Sequence, residues 1–315
     1  MMKYLFFSLA LLSTTLLFSQ EIIKNLRAKE VLVMNDSIKL PGTLTYNPYL
    51  NKQPLVIFVP GSGNPDRNGN QPQFGVNGNY IKSLSYALAI KDIAFFRFDK
   101  RNVTPSNIKH ILKSYEFNDL VNDIKAVINT FKNNKTFSSI TLIGHSQGSL
   151  VSMMAADENI NKFISLAGLG ESVDITIVKQ LNAQSPDLAK IAEQHIEELN
   201  STGTIKEVNP MLVGLFAKQN HQFLISYLPL DPNEEIKKLN IPILIINGSK
   251  DLQVKVEDAH NLHNANPKSE LVIIDKMNHV LKIIEKDEDN LASYMTPDFM
   301  LSEELVEVIE TFIKK

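Results

Sequence analysis

The pattern of apolar and polar positions changes near Pro54. Between residues 29 and 46 apolar and polar residues alternate loosely around Asn35-Asp36-Ser37, which predicts an antiparallel hairpin. Beyond Pro54 the apolar residues form unbroken runs, as expected for strands buried on both faces of a parallel sheet. The six runs are residues 55–59, 93–98, 140–143, 163–167, 241–246 and 271–274.

Stretches with helical apolar spacing separate these runs. They cover residues 80–90, 117–132, 148–156, 256–265 and 302–313. Alternating strands and helices predict an α/β protein with a doubly wound, mostly parallel sheet that follows the hairpin. The interval between Ala167 and Ile241 is too long for one crossover, and helical patterns recur in it at residues 172–183, 186–199 and 211–227. We therefore predict a core of residues 20–169 and 241–315, with an inserted helical cap at 170–240.

The amino terminus has the composition of a secretory signal peptide. Lys3 precedes an uncharged stretch rich in Leu and Phe at residues 4–18, and Ser19 supplies a small residue for cleavage. The apolar stretch is short for a membrane span, so an uncleaved anchor is the weaker alternative. We expect residues 1–19 to be removed and the protein to be exported, to the periplasm or beyond, without stable membrane insertion.

Charge and cysteine content exclude several classes of protein. The formal net charge of −3 on 315 residues leaves no basic footprint for nucleic acid, and there is no cysteine for disulfides or thiolate metal sites. His260 and His263 have helical spacing but lack the third ligand of a zinc motif, so no metal site is predicted.

Candidate chemistry centres on Gly144-His145-Ser146-Gln147-Gly148, which lies between an apolar run and a helical stretch. This Gly-x-Ser-x-Gly pattern is typical of a nucleophile elbow, a strained strand-to-helix turn that presents the serine above the sheet. A turn whose serine only caps the next helix is the structural alternative. Ser146 is therefore the candidate nucleophile.

A serine nucleophile needs a base and a carboxylate that orients the base. Of the seven histidines, His279 lies just past the last strand-like run, and Asp251 follows the preceding run. His145 lies in the elbow itself, where its side chain is expected to point away from that of Ser146. Active sites of open α/β sheets lie at these carboxyl ends of strands, so we assign His279 as base and Asp251 as acid. Asp174 is the alternative acid. The order serine, acid, histidine is that of the Gly-x-Ser-x-Gly hydrolases.

An acyl-transfer site also needs two donors for the oxyanion. The backbone N–H of Gln147, just after the nucleophile, is the first candidate. The glycine-rich loop after the first buried run, Pro60-Gly61-Ser62-Gly63, offers the second, for which we choose the N–H of Ser62 over that of Gly63.

Several motifs together resemble the α/β-hydrolase superfamily, and most of all bacterial esterases related to the serine aminopeptidase and cinnamoyl esterase groups. They are Pro60-Gly61-Ser62-Gly63 with Asp66-Arg67-Asn68-Gly69, Phe98-Asp99-Lys100-Arg101, the elbow, Asn247-Gly248-Ser249-Lys250-Asp251 and Asn278-His279. The resemblance covers about residues 54–315 and implies an α/β-hydrolase fold, a Ser-His-Asp acyl-enzyme mechanism, hydrolysis of small-molecule carboxylic esters, and no cofactor. Pro60 replaces the usual histidine before the oxyanion loop, and Asn102 and Thr104 replace glycines.

Two other functions stay open. A peptidase of short peptides needs a group that binds a free α-amine, and Glu193, Glu197 and Glu198 of the cap are candidates, although a solvated helix face explains them as well. A non-catalytic binding module on the same fold is the third possibility, because a fold does not imply an activity. The sequence does not define the acyl specificity or the oligomeric state.

Overall fold

A computed structural model describes residues 25–315, so the signal-peptide prediction for residues 1–19 lies outside the described residues. Eight strands form one sheet. Their bounds are β1 Arg27–Asn35, β2 Ile38–Tyr46, β3 Gln53–Val59, β4 Ala94–Phe98, β5 Phe137–His145, β6 Lys162–Leu166, β7 Ile243–Gly248 and β8 Glu270–Ile274.

The strand order is β1-β2-β4-β3-β5-β6-β7-β8. β1 pairs with β2, and β2 with β4, in antiparallel fashion, whereas every pairing from β4 to β8 is parallel. The predicted hairpin and the mostly parallel sheet are therefore confirmed. From β3 the chain first moves to β4 on one side and then returns to β5 on the other. The carboxyl ends of β3 and β5 consequently form the switch point, where open α/β sheets bind their ligands.

Twelve α-helices lie in the described part of the chain. Their bounds are α1 Tyr80–Ile90, α2 Ile108–Ile111, α3 Phe117–Phe131, α4 Gln147–Ala155, α5 Val173–Gln184, α6 Pro186–Thr202, α7 Val213–Phe216, α8 His221–Tyr227, α9 Pro232–Lys237, α10 Val256–Ala265, α11 Asp289–Met295 and α12 Glu303–Lys314.

Helices cover both faces of the sheet. α1 and α12 bury residues such as Leu84 and Ile309 against one face, whereas α3, α4 and α10 bury residues such as Ile124, Val151 and Leu262 against the other. This arrangement is the doubly wound architecture expected from the alternating pattern.

The segment between β6 and β7 contains five helices, α5–α9, and has its own apolar cluster. The cluster includes Ile177, Leu199, Phe216 and Leu224, all of them buried. The prediction of one helix over residues 211–227 is wrong, because Ala217 adopts an extended ψ of 145° that separates α7 from a second helical stretch. The Asn220 side-chain amide donates to the carbonyls of residues 214 and 215. Such contacts outweigh the helical propensity of this segment, and the helix is interrupted.

Three short helices, α2, α9 and α11, were not predicted. α9 carried a readable signal, because Asp231 caps it by accepting the N–H of Asn233 and Pro232 occupies its first position. α2 has four residues and α11 seven, and neither shows an apolar period in so short a span.

Candidate functional site

Ser146 lies between the end of β5 and the start of α4, with φ 54° and ψ −126°. Such a positive φ in a residue with a Cβ is strained, and strain of this kind concentrates at functional sites. Gly148 allows the turn to form, because a Cβ at this position would lie 2.2 Å from the carbonyl oxygen of Val59. The backbone N–H of Ser146 donates to the carbonyl of Leu166 at 3.0 Å, which ties the turn to β6.

Asp251 and His279 come together after β7 and β8. Asp251 Oδ2 lies 2.7 Å from His279 Nδ1, and each residue is only 5% exposed. The other carboxylate oxygen, Oδ1, accepts the backbone N–H groups of Gln253 and Val254 at 2.8 and 2.9 Å. Both carboxylate oxygens are thus engaged, and the one facing His279 fixes the proton of the imidazole on Nδ1.

The loop that carries His279 is held by hydrogen bonds to the elbow and to α11. His145 Nε2 lies 2.8 Å from the carbonyl oxygen of His279, and the two imidazole rings are 4.6 Å apart between centroids. Asn278 Nδ2 donates to Asn290 Oδ1 and Ser293 Oγ of α11 at 3.0 and 2.7 Å. The elbow and α11 therefore position the histidine main chain, and His279 lies beside the elbow that carries Ser146. Among the described residues, no hydrogen bond joins Ser146 Oγ to His279.

Asp174, the alternative acid, lies elsewhere. It occupies the first turn of α5 and lines a groove of the helical insertion together with Glu193 and Glu197. The carboxylate beside His279 belongs to Asp251.

The candidate oxyanion loop lies against Ser146, the candidate nucleophile. Gly61 packs so closely that a Cβ there would be 2.9 Å from the Cβ of Ser146. Ser62 follows it and is exposed, and Gln147 opens α4 directly after Ser146. The two N–H groups chosen from the sequence thus belong to segments that meet at Ser146.

Lys100, which was not singled out as a site residue, connects these two segments. Its ammonium donates to the carbonyls of Gly61 at 2.8 Å and Gly63 at 3.2 Å, and to Gln147 Oε1 at 3.4 Å. Burial lowers the pKa of Lys100 from 10.5 to about 8, and the carboxylate of Asp123 partly offsets this effect. In the sequence Lys100 stands within the Phe98-Asp99-Lys100-Arg101 motif, but a charged residue in such a segment gives no sign that its ammonium is buried against distant carbonyls.

His145 was also assigned no role. Burial, and then the neighbouring His279, lower the pKa of His145 from 6.5 to about 3, so the ring is neutral at ordinary pH. With His279 carbonyl as its partner, the proton must reside on Nε2. Its Nδ1 is buried without a hydrogen-bond partner among the described residues.

Within residues 25–315, no group of three or more His, Cys, Asp or Glu side chains is arranged to hold a metal ion. Over the same residues, every helix is too short or too polar to cross a membrane.

Comparison with known proteins agrees with this architecture. The model of the family described as "Serine aminopeptidase, S33" matches residues 75–207. The chain is 25% identical over 249 residues to esterase EstD of Thermotoga maritima, a match that covers 77% of this chain and 58% of EstD. Est1E from Butyrivibrio proteoclasticus superposes with a TM-score of 0.56 at 19% identity, over 91% of this chain and 99% of Est1E. This chain therefore has the α/β-hydrolase fold.

This fold alone does not define the reaction. A bromoperoxidase from Bacillus anthracis also superposes, with a TM-score of 0.55 at 15% identity over 91% of this chain and all of that one. Proteins with different named activities therefore share this architecture, and the function of each depends on the residues of its site.

Proposed function

We propose that this protein hydrolyses small-molecule carboxylic esters through an acyl-enzyme formed on Ser146. The observation that carries the proposal is the placement of a strained serine elbow beside a buried carboxylate–histidine pair, at the carboxyl ends of β5, β7 and β8. The named esterases among its relatives support ester hydrolysis as the reaction class.

In the proposed mechanism, Ser146 Oγ attacks the ester carbonyl carbon as its proton passes to His279 Nε2. Asp251 stabilises the imidazolium that forms, and the backbone N–H groups of Ser62 and Gln147 bind the oxyanion. The carbonyl then re-forms, and the alcohol leaves with the proton from His279. Water repeats the sequence on the acyl-enzyme: it gives a proton to His279, and the acid is released as Ser146 recovers that proton.

Substitution of the nucleophile tests the proposal directly. We expect Ser146→Ala to lose about 10⁴–10⁶-fold in kcat on p-nitrophenyl acetate, because the covalent step is removed. It should also no longer be labelled by a fluorophosphonate. Ser149→Ala is the matched control, since Ser149 lies in the first turn of α4 and its hydroxyl is hydrogen-bonded to Ser165 Oγ at 2.7 Å. Equal rates for wild type and Ser146→Ala would contradict the proposal.

A peptidase is the second candidate, because the matching family is described as a serine aminopeptidase. The acidic residues considered for binding an α-amine do not favour it. Glu193 and Glu197 line a groove of about 650 Å³ on the insertion, whose lining includes none of Ser146, Asp251 and His279. Glu198 accepts the backbone N–H of Lys206 at 3.0 Å. A strong preference for aminoacyl anilides over acyl esters in a substrate panel would reverse the ranking.

We also propose that the protein is exported, on the basis of the leader-like composition of residues 1–19. Amino-terminal sequencing of the mature protein should then begin at Gln20. A mature chain that begins at Met1 would contradict cleavage.

A further inference from the structure

We propose that Lys100 is a positioning residue of the oxyanion hole, whose ammonium orients and polarises the peptide group that carries the Ser62 N–H. This inference rests on the proposed function. It adds a group that touches neither substrate nor nucleophile and acts through the backbone of the loop at residues 61–63.

The position of Lys100 follows from the order of the strands. β4, β3 and β5 are neighbours in the sheet, and Lys100 follows β4, Gly61 follows β3 and Gln147 follows β5. A side chain from the end of β4 can therefore reach across the β3 loop to the start of α4. The Lys100 ammonium does so with three acceptors: two loop carbonyls and the side-chain oxygen of Gln147.

The geometry of the peptide bond links Lys100 to the oxyanion donor. The carbonyl of Gly61 and the N–H of Ser62 belong to one peptide group, and no cis peptide occurs among the described residues. In a planar trans peptide the carbonyl and the N–H point in opposite directions. Because the Gly61 carbonyl accepts from Lys100 at 2.8 Å, the Ser62 N–H is directed away from the ammonium. A cation on the carbonyl also draws electron density from the nitrogen and makes the N–H a stronger donor.

The surroundings of Lys100 keep it fixed and make its charge sensitive to pH. The residue is 6% exposed, and the titratable groups that face it are few. Asp123 from α3 is the carboxylate that acts on it, and Arg101 already pairs with Asp123 at 2.7 and 2.8 Å. Tyr227 of α8 contacts Gln147, and burial raises the pKa of its hydroxyl, so it stays neutral. Burial lowers the pKa of Lys100 to about 8, so the ammonium is present below that pH and is lost above it.

The main test removes the ammonium and measures kcat, KM and their pH dependence. Removing one oxyanion donor costs about 10²–10³-fold in kcat, so weakening one by Lys100→Met should lower kcat by about 10–100-fold and change KM little. Wild-type kcat should fall above about pH 8, and this alkaline limb should be absent in Lys100→Met. Lys100→Gln keeps a donor for the loop carbonyls without the charge. It should fold more readily, lose less kcat than Lys100→Met, and also lack the alkaline limb.

Lys162→Met is the matched control. Lys162 also donates to two backbone carbonyls, those of Phe312 and Ile313 at 2.7 and 3.0 Å, but it lies at the amino end of β6. We expect this variant to keep the wild-type kcat and pH profile. If kcat fell by the same factor in Lys100→Met and Lys162→Met, Lys100 would contribute only to the stability of the fold, and the inference would be overturned.

Fluorophosphonate labelling separates this inference from the proposed function, because phosphonylation of Ser146 uses the oxyanion hole whichever acyl substrate is natural. Slower labelling of Lys100→Met than of Lys162→Met supports the inference even if esters are poor substrates. Ester hydrolysis that depends on Ser146 but is unchanged in rate and pH profile in both Lys100 variants overturns the inference and leaves the proposed function intact. Failure of wild type to label would contradict both.

Discussion

The carboxyl edge of the sheet and the helical insertion of residues 170–240 bury different kinds of group. At the sheet edge, Lys100, His145, Asp251 and His279 are all buried and are joined by hydrogen bonds to backbone or to one another. The insertion is instead held by an apolar cluster around Leu199 and Phe216.

Several other apolar residues of the insertion are exposed, including Met211, which is 75% exposed, and Val213, Leu215 and Ile225.

Because of this difference, the two regions should respond differently to amino-acid substitution. A buried polar network has discrete geometry and loses function when one partner changes, because the remaining groups are left unsatisfied. An apolar cluster tolerates change more gradually, in proportion to the volume removed. Substitutions at the sheet edge should therefore affect chemistry and pH response, whereas those in the insertion should affect local stability.

The largest expected effect is at Asp251, the proposed acid. Asn in place of Asp251 would put an amide where Oδ2 accepts from His279 Nδ1, so the imidazole would be held in the wrong tautomer. We expect Asp251→Asn to lose about 10⁴-fold in kcat on p-nitrophenyl acetate, with an unchanged folded state by circular dichroism. Asp174→Asn is the matched control, since Asp174 was the other acid considered, and it should keep wild-type kcat. A severe loss of kcat in Asp174→Asn together with a mild loss in Asp251→Asn would contradict this assignment and make Asp174 the acid.

The pairing of Asp251 with His279 was predictable because of where buried strands end. Unbroken apolar runs identified the parallel strands, and residues that follow such runs meet at one edge of the sheet. Asp251 after β7 and His279 after β8 satisfied that rule, and the structure places them 2.7 Å apart.

The supporting groups were not predictable in this way. Lys100 and His145 are polar residues whose burial depends on acceptors far away in sequence: Gly61 is 39 residues from Lys100, and the His279 carbonyl is 134 residues from His145. The residues next to Lys100 and His145 in the sequence do not indicate such distant partners. The break at Ala217 in the insertion has the same origin, since packing rather than propensity sets the ends of short helices.

The next effect concerns the stability of the sheet edge in acid. The pKa of His145 is lowered by burial to about 3, below its ordinary value of 6.5. Between these values the unfolded chain binds a proton that the folded chain does not, so the free energy of unfolding falls as pH falls, by about 1.4 kcal/mol per pH unit from this group. Above pH 6.5 both states are neutral and His145 contributes no pH dependence.

His145→Gln removes that titration while keeping an N–H donor for the His279 carbonyl. Urea unfolding between pH 4 and 7 should show a shallower loss of stability for this variant than for wild type. His260→Gln replaces an exposed histidine and should leave the wild-type slope unchanged. The same slope in wild type and His145→Gln would show that His145 takes up its proton in the folded state.

The smallest effect is expected in the insertion, at Leu199. This side chain is fully buried in the apolar cluster, so Leu199→Ala should cost about 2–4 kcal/mol through lost burial and an unfilled cavity. Because the cluster is separate from the site residues, kcat on p-nitrophenyl acetate should stay within about threefold of wild type, and faster hydrogen exchange should be confined to α5–α8. Leu215→Ala makes the same change where the side chain is 39% exposed and should cost under about 1 kcal/mol. If Leu199→Ala instead lowered kcat as severely as a sheet-edge variant, the insertion would have to hold the proposed site residues in place, and the division between the two regions would fail.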